Sequence, residues 1–254
     1  MAEVVILPSR EAAGELAADR IAALVARKPD AVLGLATGST PLPIWDALRR
    51  RGLDLSRVRG FALDEYLGLP PGHPESYRAV ITREVVEPLG LDPALVRVPG
   101  DDGGETDTAG ARYEDAILDA GGIDLQILGI GRTGHIGFNE PGSSLASRTR
   151  IKTLTDATRA DNARFFPNAE EVPRHCLTQG LGTILEAREL VLLAFGEGKA
   201  EAVAGAVEGP LSASLPASVI QLHPEVTVLL DEPAAARLRY ADYYRSSWKH
   251  RAEV

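Results

Sequence analysis

Apolar residues along this chain fall into short unbroken runs, and between the runs they recur at helical spacing. Residues 4–7 (VVIL) read as extended, and Ser9 then stands where an N-cap belongs. Ala13, Leu16, Ala17, Ile21, Leu24 and Val25 follow on one helical face, and Pro29 ends the pattern. The run 31–36 (AVLGLA) predicts a buried strand that ends in the polar turn Thr37-Gly38-Ser39-Thr40. A helix opens near Pro41, because proline suits the first helical position. Further strands are predicted at 58–63, 123–130, 189–195 and 226–230, with helices near 76–88, 105–120, 197–208 and 233–248. Strands that are apolar along their whole length belong to a parallel sheet covered on both faces. Their alternation with helices predicts an α/β fold, a doubly wound and mostly parallel sheet with helices on both faces. The Pro- and Gly-rich stretches at 68–74 and 99–104 have loop length and no repeat occurs, so residues 1–254 read as a single domain.

Composition narrows the function. Of 254 residues 44% are hydrophobic, which excludes a disordered or collagen-like chain. A net charge of −9 excludes general affinity for nucleic acid or an anionic membrane, so any anion must be held by locally clustered donors. No apolar run approaches the ~18 residues of a membrane span. The first residues lack the basic region and long apolar stretch of a signal peptide, so a cytoplasmic protein is expected. One cysteine, Cys176, and five scattered histidines predict neither an internal disulfide nor a metal site. These features together describe a soluble α/β enzyme.

In an open parallel sheet, ligands bind beyond the carboxyl ends of the strands. Three segments put unusual polar residues there. Thr37, Gly38, Ser39 and Thr40 offer hydroxyls and backbone N–H groups to an anion, or form an ordinary turn with Thr40 as N-cap. Asp64-Glu65-Tyr66 follows the run 58–63, where adjacent acids serve either as caps or, at the lip of a sheet, as a general base. The segment 129–144 (GIGRTGHIGFNEPGSS) opens like a dinucleotide fingerprint, but Gly137, Pro141 and Gly142 interrupt the helix that a fingerprint needs. It reads instead as a glycine-rich loop carrying His135, with Glu140 five residues on to orient the imidazole and stabilise its charged form. Arg148, Arg150 and Lys152 alternate onto one face if the segment is a strand, either as an anion site or as a solvated edge. Lys199 is a further cation at a strand end, Arg164 lies on a helical segment able to cover the site, and His73 reads as structural.

Taken together, LGLATGSTP (33–41), LDEYLGLPPGHPESY (63–77), GHIGFNEPGSSLASRTRIKTLT (134–155), Arg164-Phe165-Phe166 and AVEG (206–209) resemble the glucosamine-6-phosphate deaminases. The resemblance implies conversion of glucosamine 6-phosphate to fructose 6-phosphate and ammonia, with no metal and no organic cofactor. It further implies that the turn 37–40, Arg164 and Lys199 hold the phosphate, and that Asp64 moves a proton between C2 and C1. His135, oriented by Glu140, opens the sugar ring, and hydrolysis of an imine at C2 releases ammonia. Family members usually carry Asp or Asn two residues before the histidine, where this chain has Thr133. In allosteric members, residues matching Ser143, Ser144, Arg150 and Lys152 bind N-acetylglucosamine 6-phosphate between subunits, so a homo-oligomer is among the forms implied. The readings that compete are an epimeric substrate such as galactosamine 6-phosphate, lactone hydrolysis as in the related 6-phosphogluconolactonases, and a sugar-phosphate sensor without turnover.

Overall fold

The computed structural model describes residues 3–251. The first five strands are β1 (Glu3–Leu7), β2 (Val32–Leu35), β3 (Arg59–Ala62), β4 (Asp64–Tyr66) and β5 (Val96–Arg97). The next five are β6 (Leu125–Gly129), β7 (Arg150–Thr153), β8 (His175–Thr178), β9 (Glu189–Ala194) and β10 (Val226–Asp231). Seven of them form one sheet in the order β1-β10-β9-β6-β2-β3-β5. Every pairing in it is parallel. All of β2 and all but the first residue of β9 are buried, as a sheet covered on both faces requires.

From β2 the chain builds outward through β3 and β5, then returns to place β6 on the other side of β2. The β2–β6 boundary is therefore the switch point, where the loops leaving the two strands diverge and open a crevice. Helix Arg10–Arg27 starts as predicted, with Ser9 Oγ accepting the Ala12 N–H. It packs closely on helix Leu42–Arg51, since a Cβ added at Gly14 would lie 2.5 Å from Pro43 Cβ.

A second, antiparallel sheet of order β4-β8-β7 stands apart from the strands that apolar runs predict. Its strands are three or four residues long, and β7 (RIKT) is too exposed to show an apolar run. Beside it lies a small separate core of Tyr66, Phe138, Leu154, Phe166, Val172 and Cys176. Two helices also differ from expectation. The predicted helix 76–88 runs Tyr77–Leu89 with a wider turn over Thr82–Val86, where the Glu87 N–H bonds Thr82 O. Pro88, next in line, has no N–H to restore the α pattern. The predicted helix 233–248 is helical only over Ala241–Lys249. The Asp231 carboxylate bonds the N–H groups of Ala234 and Gly196, and so holds the residues after β10 in turns. Among the described residues no helix is long and apolar enough to cross a membrane.

Candidate active site

The switch point opens into a cleft of about 520 Å³, lined by residues that follow β2, β3, β6 and β9. After β2, Gly38 adopts φ +83°, a left-handed conformation that lets the 37–40 turn fold back toward the cleft. The helix that follows has Pro41 at its cap and no side-chain cap bond, so Thr40 is not the N-cap. Thr37, Gly38, Ser39 and Thr40 all line the cleft, and the Arg10 guanidinium donates to Ser39 O at 2.7 Å.

Lys199, Arg164 and Arg132 line the same cleft. Lys199 is half-buried, and burial lowers its pKa. Asp161 opposes that shift, while Arg132 and Arg164 add to it, so the three cations share one field. Asp161 is already held by Arg132, with Nε to Oδ2 at 3.0 Å, and the remaining positive charge is left for an incoming anion. Arg164 packs over the Phe165 ring at 4.7 Å.

Asp64 lies at the other side of the cleft and is 6% exposed. Tyr66, Tyr77 and Phe138 also line this side, and their rings pack together at centroid distances of 4.7–6.0 Å. Gly137, at φ +53°, passes over it so closely that an added Cβ would meet Asp64 Oδ2 at 3.6 Å and Thr178 Oγ1 at 3.0 Å. Desolvation, and then the charge of Glu65, pushes the Asp64 carboxyl well above its usual range. The neighbouring acid does different work. Glu65 accepts the N–H groups of Tyr66, Tyr77 and Arg78 at 2.7–2.8 Å, so it is the capping residue of the pair.

The loop after β6 carries the third part. The imidazole of His135 lies flat against Gly131, where an added Cβ would stand 2.1 Å from ring atom Cε1. His135 Nδ1 lies 2.9 Å from Thr133 Oγ1 and 3.5 Å from Glu140 Oε2. Thr133 Oγ1 donates to Glu140 Oε2 at 3.3 Å, which frees its oxygen to accept from Nδ1–H in the tautomer that leaves Nε2 unprotonated. Glu140 is 3% exposed and sits behind the imidazole, outside the cleft lining. Thr155 donates to its Oε1 at 3.0 Å, and Thr158 donates to the same oxygen. Burial alone would raise its pKa, but the bonds from His135, Thr158 and Thr155, with the His135 charge, hold it at about 2.

The structure adds residues that the sequence reading passed over. Thr155 and Thr158 look like an N-cap and its partner, which they are, yet both hydroxyls also reach Glu140. Asn162 donates to the Tyr66 hydroxyl at 2.8 Å across the cleft. His73 accepts the Glu75 N–H and stacks on Phe166, in keeping with a structural role.

The basic trio does not form one face. Arg148 precedes β7 and pairs with Glu114 and Glu186, whose positions no local pattern in the sequence reveals. Arg150 donates to Asn139 Oδ1 at 2.9 Å, and Lys152 follows on the same side of β7. Ser143 is buried with no hydrogen-bond partner for its hydroxyl among the described residues, and Ser144 is exposed. None of Ser143, Ser144, Arg150 and Lys152 lines the cleft. Among the described residues no cluster of three His, Cys, Asp or Glu side chains could hold a metal ion.

Cations at a switch point, a desolvated carboxylate and a carboxylate-backed histidine make this an α/β site suited to acid–base work on an anionic small molecule. Comparison with known proteins gives the family. Residues 9–229 match the family model of glucosamine-6-phosphate isomerases/6-phosphogluconolactonase, and the chain belongs to that family. It is similar to glucosamine-6-phosphate deaminase of Bifidobacterium longum subsp. infantis, 59% identical across 99% of this chain and 98% of the relative. The Arthrobacter sp. glucosamine-6-phosphate deaminase is 61% identical across 97% and 96%. A solved structure described as a monomeric glucosamine-6-phosphate deaminase superposes with a TM-score of 0.89 at 40% identity, over 93% of this chain and 100% of that one.

Proposed function

We propose that this protein deaminates glucosamine 6-phosphate to fructose 6-phosphate and ammonia. The observation that carries the reading is the pairing, in one cleft, of a desolvated carboxylate with a histidine backed by an ionised one. The sugar phosphate docks against the 37–40 turn, Lys199 and Arg164, where the positive field is not internally neutralised. This fixes C1 and C2 between Asp64 and His135.

His135 Nε2 takes the proton of the anomeric hydroxyl and returns one to the ring oxygen, so the C1–O5 bond breaks and C1 becomes an aldehyde. Glu140 and Thr133 hold the imidazole through this exchange and stabilise its transient charge. The aldehyde acidifies the C2 proton, which Asp64 removes. An aspartate kept from water is a stronger base than a solvated one, as its raised pKa requires. Returning that proton to C1 of the enolamine gives an imine at C2. Water then adds at C2 and ammonia leaves, which makes the whole an isomerising deamination with hydrolysis only in its last step.

Release of fructose 6-phosphate in a coupled assay, with glucosamine 6-phosphate and galactosamine 6-phosphate run side by side, tests the reading. Turnover of the glucosamine compound supports it. Preference for the epimer reassigns the substrate, and binding without turnover of either makes the protein a sensor.

A further inference from the structure

Glu140 has two oxygens, and they face different parts of the molecule. Oε2 faces Thr133 and His135 within the catalytic loop. Oε1 faces Thr155 and Thr158, which open helix Asp156–Asn162. That helix carries Asp161 and Asn162 and runs directly into Arg164 and Phe166, so it spans from the anion pocket to the aromatic wall beside Asp64. The two threonines are not equivalent. Thr155 is the N-cap, and its oxygen also accepts the Thr158 N–H at 3.2 Å, so it serves the helix. Thr158 is only 3% exposed, and its hydroxyl donates inward to Glu140.

We propose that Thr158 is a positioning residue for ring opening, whose hydroxyl sets the Glu140 carboxylate behind His135 and ties that setting to the helix leading to Arg164. The proposal rests on the deaminase reading above. With Oε1 held by the helix, Oε2 is aimed at the imidazole and cannot rotate away from it. Replacing the hydroxyl by a methyl removes a donor at a carboxylate that water hardly reaches, so both the orientation and the persistence of the charge suffer. The ionisable groups facing Glu140 are His135 from its own loop and Cys176 from β8, whose thiol is pushed up by burial first and by Asp64 and Glu140 after it. Cys176 therefore stays neutral at working pH, and the change falls on the Glu140–His135 pair.

Thr158→Val keeps the shape and the backbone N–H that Thr155 caps, while Thr158→Ser keeps the hydroxyl. The measurements are kcat, KM, the pH profile of activity, and the isotope effect with glucosamine 6-phosphate deuterated at C2. For Thr158→Val the proposal expects kcat about tenfold lower with KM within about twofold. It also expects the pH profile to move to lower pH, because less negative charge faces the imidazole, and an isotope effect falling toward unity, because ring opening becomes the slow step. Thr158→Ser restores all of these. A Thr158→Val enzyme with parental kcat, pH profile and isotope effect overturns the proposal. So does a loss of kcat with the isotope effect unchanged and no recovery in Thr158→Ser, which assigns Thr158 to packing. A parent that releases no fructose 6-phosphate overturns the deaminase reading first, and this proposal with it, before any variant is compared.

Discussion

Asp64 and Glu140 are carboxylates at the same end of one sheet, 6% and 3% exposed, and their acidities are shifted in opposite directions. Asp64 lies beside an aromatic wall with Glu65 as its charged neighbour, and burial drives its pKa up. Glu140 is buried as deeply but receives three hydroxyls and lies beside an imidazole, and it is held at about 2. Depth of burial therefore does not decide the protonation of an acid; the donors pointed at it do. Each state suits a different task. A poorly solvated carboxylate is a base for a carbon acid, whereas one that stays charged at every working pH is a counter-ion for a cycling histidine.

The largest expected effect comes from erasing the first member. Asp64→Asn should lower kcat by roughly 10²–10⁴-fold, since an amide cannot accept the C2 proton. The same variant should be the more stable protein. A carboxyl whose folded pKa is raised is favoured while protonated, and it loses stability as pH rises from its unfolded to its folded pKa. Melting of parent and variant should thus diverge as pH rises, with the variant the more stable of the two at neutrality. Equal melting across pH 4 to 8 breaks the comparison on this side.

Erasing the second member should do the reverse to stability. Glu140 is lowered from 4.5 to about 2, so its contribution is complete above 4.5 and is lost as pH falls through about 2. Glu140→Gln should cost up to about 3 kcal/mol at pH 7, by the shift times the free energy per pKa unit. In denaturant titrations the cost should shrink as pH falls below 4.5. A penalty independent of pH would assign Glu140 to packing and not to charge.

The cations proposed to hold the phosphate come next in size. Lys199→Ala and Arg164→Ala should each raise KM for the phosphorylated sugar, by roughly 1.5–3 kcal/mol, the range for charge-assisted hydrogen bonds. Unphosphorylated glucosamine should be a very poor substrate of the parent. Similar kcat/KM for the two sugars removes the phosphate assignment.

Thr133 sharpens the contrast with the smallest effect. Its hydroxyl supports the imidazole without adding charge. Thr133→Asp places a second carboxylate beside His135 and against Glu140 Oε2, 3.3 Å from the present hydroxyl. Activity measured from pH 5 to 9 should move to higher pH, with kcat changed by no more than about tenfold, or ~1.4 kcal/mol. A parent inactive throughout and rescued by aspartate would mark the site as one retired from catalysis.

The legibility of these parts in the sequence follows from the range of the interactions that make them. The parallel strands are readable because burial on both faces leaves unbroken apolar runs, as in VLGL at β2 and ELVLLA at β9. Asp64 stands out because it follows such a run at a strand end, and His135 and Glu140 because they sit together in the glycine-rich loop that leaves β6. Short polar strands carry no such pattern, so β4, β7 and β8 and the small sheet they form go unseen. Sequence offers the two roles of the 64–65 pair without assigning them, because the N–H groups that Glu65 caps lie 12 and 13 residues on. Arg148 looks free until Glu114 and Glu186 are folded against it from 34 and 38 residues away. Thr155 and Thr158 hide behind a local explanation that is correct and incomplete, since a hydroxyl that caps a helix can also donate elsewhere.

The opposed pKa shifts of the two acids are observed directly by carbon-13 NMR of labelled side-chain carboxyls across pH 2 to 8. Asp64→Asn and Glu140→Gln supply the assignments by loss of one signal each. The Asp64 signal should titrate well above its ordinary 3.8, and Glu140 should stay ionised until the pH nears 2. Two signals titrating together near ordinary carboxylate values would contradict both shifts.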